Sequence, residues 1–107
     1  MKPPYYAVIF TSIKLDFDEG YAEMATKMEA LAKQQSGFLG IESARNAPER
    51  SELAKQFGIT VSYWKDLQSI KNWKQNLDHI DAQIKGRASW YEEYTVRIAL
   101  VEREYNL

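Results

Sequence analysis

The chain has no cysteine and a single histidine among its 107 residues. Without cysteine there is no disulfide framework, no thiolate metal site and no cysteine nucleophile, and one imidazole among carboxylates marks no metal cluster. No metal is expected, and a reducing, cytoplasmic setting is. No apolar run reaches the roughly 18 residues that span a bilayer, and Met1, Lys2, Pro3 and Pro4 do not open like a signal peptide, so no membrane partner is expected. Charge of one sign is not in excess either. Fourteen Lys and Arg against 15 Asp and Glu leave a formal net charge of -1, with no basic cluster to hold a phosphate backbone. No nucleic-acid partner is expected. The five glycines are scattered, so there is no phosphate-cradling loop, and no Gly-x-Ser-x-Gly elbow marks an activated serine. What the chain does have is rings: seven Tyr, four Phe and three Trp, 13% of all residues, enough to enclose something large and flat.

The length suits one domain over residues 1–107. Residues 5–12 are β-branched and aromatic, with apolar side chains on both parities, and predict a strand that begins after Pro3 and Pro4. Asp16 and Asp18 offer N-cap oxygens to a helix whose apolar stripe is Tyr21, Met24, Ala25, Met28, Leu31 and Ala32, with Gly37 placed to end it as the C′ residue. Residues 38–45 predict a second strand, and residues 46–56 a solvated connection. Residues 58–64 alternate, with Ile59, Val61 and Tyr63 on one face and Thr60, Ser62 and Trp64 on the other. Asp66 can cap a second helix with Leu67, Ile70, Trp73, Leu77, Ile80 and Ile84 on one stripe and Gly86 at its close. Residues 91–105 predict a long last strand.

The element order is thus β-α-β-β-α-β, an α+β ferredoxin-like pattern with two helices on one face of a four-stranded antiparallel sheet. The other face is expected to be polar and wet. The first strand contradicts this, because Tyr5, Ala7 and Ile9 are as apolar as Tyr6, Val8 and Phe10. A second copy of the same sheet is the simplest cover, which predicts a homodimer with two sheets stacked into a barrel. Arg97, mid-strand between Val96 and Ile98, is expected in a salt bridge or at that seam.

Several motifs resemble the antibiotic biosynthesis monooxygenase family of dimeric α/β barrels. They are Ile59-Thr60-Val61-Ser62-Tyr63-Trp64, Ile70-x-x-Trp73 and His79-x-x-Ala82-Gln83-x-x-Gly86-Arg87-x-x-Trp90-Tyr91-x-x-Tyr94. Residues 6–11 and 35–40 are similar to its first strand and its helix-to-strand turn. The resemblance implies an apolar cavity between sheet and helices, where an electron-rich phenol or anthrone loses a proton and its carbanion reacts with O2. Such chemistry needs no bound cofactor, only an aromatic pocket, groups that accept the proton and stabilise the enolate, and exclusion of water.

Under that resemblance Trp64, Trp73, Trp90 and Tyr91 line the pocket, His79 accepts a proton near neutral pH, and Arg87 stabilises a phenolate oxygen. His79 and Trp64 are the catalytic candidates, since small Thr60 and Ser62 beside a large indole leave space for a ligand. On a straight helix, however, His79 falls about 140° from the centre of the apolar stripe and faces solvent. A break near Gln75 and Asn76 would turn it inward. The haem-degrading branch of the family implies an asparagine on the first strand and a histidine ten residues after Trp73. Neither is found: residues 5–14 hold no asparagine and the position is Gln83. Haem, as substrate or ligand, therefore belongs to an alternative reading. A non-catalytic dimer that shelters a small apolar molecule is another.

Overall fold

Pro4 has no backbone N–H to give to a ladder, and β1 opens at the next residue, running Tyr5–Lys14. The computed structural model describes residues 1–15, 20–46, 56–84 and 90–107, apart from the side chains of residues 79–84. Along it follow α1 (Tyr21–Lys33), β2 (Phe38–Arg45), β3 (Gln56–Trp64), α2 (Leu67–Ile84) and β4 (Tyr91–Val101). All four strands form one antiparallel sheet in the order β2-β3-β1-β4, the ferredoxin-like arrangement. β4 is shorter than expected from the sequence. Tyr5, the first residue of β1, pairs with Val101, so residues 102–105 have no strand to join.

Strand alternation sorts the sheet into two faces. Toward the helices point Tyr6, Val8, Phe10, Ser12 and Lys14 of β1, with Trp64, Ser62, Thr60 and Gly58 opposite them on β3. Leu100, Ile98, Val96 and Tyr94 of β4 continue the same face. Its core is Trp64, without exposed surface, packed with Ala32 of α1 and with Ile70 and Trp73 of α2. Tyr6, Val8, Met28, Leu31, Phe38 and Leu77 close around this group. The more apolar parity of β3, with Ile59, Val61 and Tyr63, faces away from the helices. One indole decides the orientation: removing a ring of that size from a packed core costs about 3–5 kcal/mol.

Helix ends differ in part from the sequence reading. α1 begins after Gly20, in the left-handed region at φ 78°, with no side-chain cap; Asp16 and Asp18 lie outside the described residues. At its other end Gln34 is the C-cap, and Gly37 sits three residues further on at φ 86° rather than at C′. There it accepts the Lys65 N–H at 2.8 Å, and a Cβ would run into Ser69 at the start of α2, so the glycine permits a close approach instead of ending a helix. Asp66 caps α2 as expected, accepting the Ser69 N–H at 2.8 Å and its hydroxyl at 2.7 Å. These bonds, the side-chain one foremost, hold the Asp66 carboxyl below its ordinary pKa. Leu67 opens α2 beyond the end of β3 and stays half exposed, while Ile70 and Trp73 are buried. Gly86 lies outside the described residues.

Candidate functional site

Where β1 ends, the helix-facing side of the sheet gathers two cations and five rings. Lys14, the last residue of β1, is only 7% exposed. Its ammonium donates to the Leu15 carbonyl at 3.1 Å and lies 5.0 Å from the Tyr21 ring centroid. Arg45, the last residue of β2, donates to the Gln56 carbonyl and to Ser12 Oγ, both at 2.8 Å. Its guanidinium is 5.9 Å from the Tyr21 ring and 6.0 Å from the Tyr91 ring, within cation–π reach of both. Among the described residues neither cation has a carboxylate partner.

The rings form a continuous wall. Tyr21 meets Trp90 and Tyr91 edge-on at 5.8 and 6.0 Å, and Phe10 meets Tyr91 at 5.4 Å and stacks on Tyr94 at 5.4 Å. The Tyr91 hydroxyl donates to that of Tyr21 at 3.3 Å. Local chemistry explains the assembly: the Leu15 N–H bonds the Trp90 carbonyl at 2.7 Å, tying the end of β1 to the start of β4. Tyr21, Met24, Ala25, Met28, Trp90 and Tyr91 line a recess of about 20 Å³. Further along β4, Tyr94, Val96, Ile98 and Leu100 remain 46–52% exposed, an apolar strip beside the cluster.

The residues singled out from the sequence do not all meet. Trp90 and Tyr91 belong to this cluster. Trp64 and Trp73 stack on each other at 6.1 Å near the other end of the sheet, eight residues back along β1, roughly 25 Å away. The space foreseen beside Trp64 is filled by its own indole, whose N–H donates to Ser62 Oγ at 2.8 Å. Phe38 closes its edge at 5.5 Å. α2 runs without a break through Gln75 and Asn76. The side chains of His79 and Gln83, and all of Arg87, lie outside the described residues.

The opposite face carries a larger depression of about 410 Å³, lined among others by Tyr5, Glu42, Tyr63 and Glu104. Tyr63 donates to Glu42 at 2.5 Å, and this bond to an anion pushes the phenol up to about 12. Tyr5 donates to Glu104 at 2.7 Å and is likewise raised, while Asn106 and Tyr5 together lower Glu104. Around these pairs lie Ile9, Ile13, Ile59 and Val61, none fully buried. Arg97, also on this face, reaches Thr11 Oγ1 at 3.4 Å and no carboxylate among the described residues.

The family model for antibiotic biosynthesis monooxygenase matches residues 4–85. The chain belongs to the antibiotic biosynthesis monooxygenase family. It is 50% identical over 103 residues to the protein YqjZ of Bacillus subtilis (strain 168), covering 96% of this chain and 84% of that one. Among solved structures it is similar to SnoaB of Streptomyces nogalater, a cofactor-independent oxygenase, at a TM-score of 0.65 with 11% identity and 98% of each chain covered. A dabb family protein with a ferredoxin-like fold from Mesorhizobium loti superposes at 0.58, with 10% identity and 89% and 95% coverage. At such identities the two structures establish the shared fold.

For a monooxygenase-family chain, the sequence reading missed Lys14 and Arg45. A signal existed for the first: Lys14 continues the parity of Tyr6, Val8, Phe10 and Ser12, so a lysine stands in line with a buried strand face. Arg45 carried none, because its surroundings depend on strand pairing.

Proposed function

We propose that the protein is a cofactor-independent monooxygenase acting on a small aromatic or enolisable substrate. The single observation that carries this is the ring wall of Phe10, Tyr21, Trp90, Tyr91 and Tyr94 on the helix-facing side of the sheet, opening onto the half-exposed strip of β4. Stacked and edge-on rings bind a flat, electron-rich molecule over a large area with little loss of side-chain freedom. Membership of the family, and a neighbour that is a cofactor-independent oxygenase, support the reaction class.

In this reading a CH2 group activated by its ring loses a proton, and the resulting enolate reduces O2. The peroxide formed on that carbon loses water to leave a carbonyl, so one oxygen enters the product, the other becomes water, and all the electrons come from the substrate. His79 accepts the proton and Arg87 holds the phenolate oxygen, while Trp90 and Tyr91 flank the ring. Trp64 and Trp73, roughly 25 Å from the ring wall, serve the site as the packed core that holds the sheet against α2. Two copies stack through the faces that bear Ile9, Ile59 and Val61, in the cytoplasm. Among the described residues no helix is long and apolar enough to cross a membrane.

Oxygen uptake with a panel of anthrones, without added metal, flavin or reductant, tests the proposal. Uptake above buffer, lost in His79→Ala and reduced in Trp64→Phe, is expected. Tight binding of the same compounds with no turnover, indifferent to both substitutions, would instead leave a non-catalytic binding module.

A further inference from the structure

Lys14 and Arg45 are an unusual pair to find under a helix. A desolvated cation is costly unless a counter-charge or several hydrogen bonds replace water. Lys14 is more than nine-tenths buried, yet among the described residues its ammonium uses one of three donors, on a backbone carbonyl. Arg45 is half-buried, with its two terminal nitrogens on a carbonyl and a hydroxyl, both uncharged. Both cations approach the same Tyr21 ring, which adds like-charge repulsion to the cost. The ring faces offset part of this cost. No described carboxylate offsets the rest. This charge, unbalanced among the described residues, sits at the foot of an apolar strip, Tyr94, Val96 and Ile98, that is about half exposed.

We infer that Lys14 and Arg45 form a subsite for the carboxylate of a planar aromatic acid whose ring lies along Tyr91 and Tyr94. This rests on the reading of the ring wall as the substrate site and names the substrate class: an aromatic acid rather than a neutral phenol or anthrone. A carboxylate supplies what both cations lack among the described residues, two acceptor oxygens with a full charge, and a guanidinium together with an ammonium recognises it by direction as well as by sign. The apolar strip of β4 receives the body of the molecule, so one end of the ligand is read by charge and the other by area.

Calorimetric titration of the full chain with naphthoate and with naphthol, near neutral pH and at low salt, decides the matter. The two share a ring system and differ in charge. Naphthoate is expected to bind at least about tenfold more tightly, as one charge-assisted pair would give. Lys14→Met and Arg45→Gln should each bring it to within about twofold of naphthol while leaving naphthol unchanged. Should Arg45→Gln melt too early to titrate, Arg45→Lys, which keeps charge but not the fork, takes its place. Equal binding of the two ligands by the unaltered protein, or a preference that survives substitution of both cations, would overturn the subsite. Uptake of O2 with neutral anthrones but no preference for acids sinks this inference alone; acid-selective binding without uptake sinks only the oxygenase.

Discussion

The guanidinium of Arg45 rests on the α-carbon of Gly58, its partner across the β2–β3 ladder. A Cβ at that position would collide with the guanidinium carbon and two of its nitrogens. Glycine in mid-strand ordinarily weakens a sheet; here it is the floor that lets a charged side chain lie flat and reach Ser12 and Gln56.

Gly58→Ala therefore has a sign that depends on its neighbour. In an Arg45→Ala background it should stabilise by roughly 0.5–1 kcal/mol, as alanine usually does in place of a strand glycine. In the unaltered protein it should destabilise, because Arg45 must leave its bonds. Urea denaturation of the four proteins of the cycle measures the coupling, and a Gly58→Ala effect of the same sign in both backgrounds would show that Arg45 is not seated on Gly58.

Tyr63 sets a pH expectation on the opposite face. Its phenol is raised from 10.0 to about 12, first of all by donating to Glu42. The folded state thus holds that proton more tightly than the unfolded chain. The stability it contributes is whole below pH 10 and disappears as pH rises toward about 12. Ultraviolet titration should find the Tyr63 phenol among the late ones, beside the likewise raised Tyr5, and Glu42→Gln should return Tyr63 toward the ordinary value. An unchanged Tyr63 phenol in that variant would assign the shift elsewhere.

Val61 reports on the second copy. It stands between Ile9 and Glu42 at the middle of the face that the helices leave bare. Light scattering at micromolar concentration should give a dimer for the unaltered protein, and Val61→Glu, which buries a charge at the seam, should give a monomer that still folds. A monomeric mass for the unaltered chain would remove the stacked-sheet assembly.

The order of elements and the apolar stripe of α1 were legible in the sequence, because local periodicity and turn residues act over a few positions; the family was legible only through the resemblance of its motifs. Asp66 as a cap was legible for the same reason: its oxygen and the Ser69 N–H are three residues apart. Which face of β3 meets the helices was not, since Thr60, Ser62 and Trp64 look the more polar set until one indole is packed against Trp73. Nor did the sequence tell that Trp64 and Trp90, both marked as pocket residues, stand near opposite ends of the sheet. Lys14, Ser12, Arg45, Gly58 and Tyr91 come from four strands. Only antiparallel registry brings them to one place, because hydrogen-bonded ladders join residues whose separation along the chain carries no local signal.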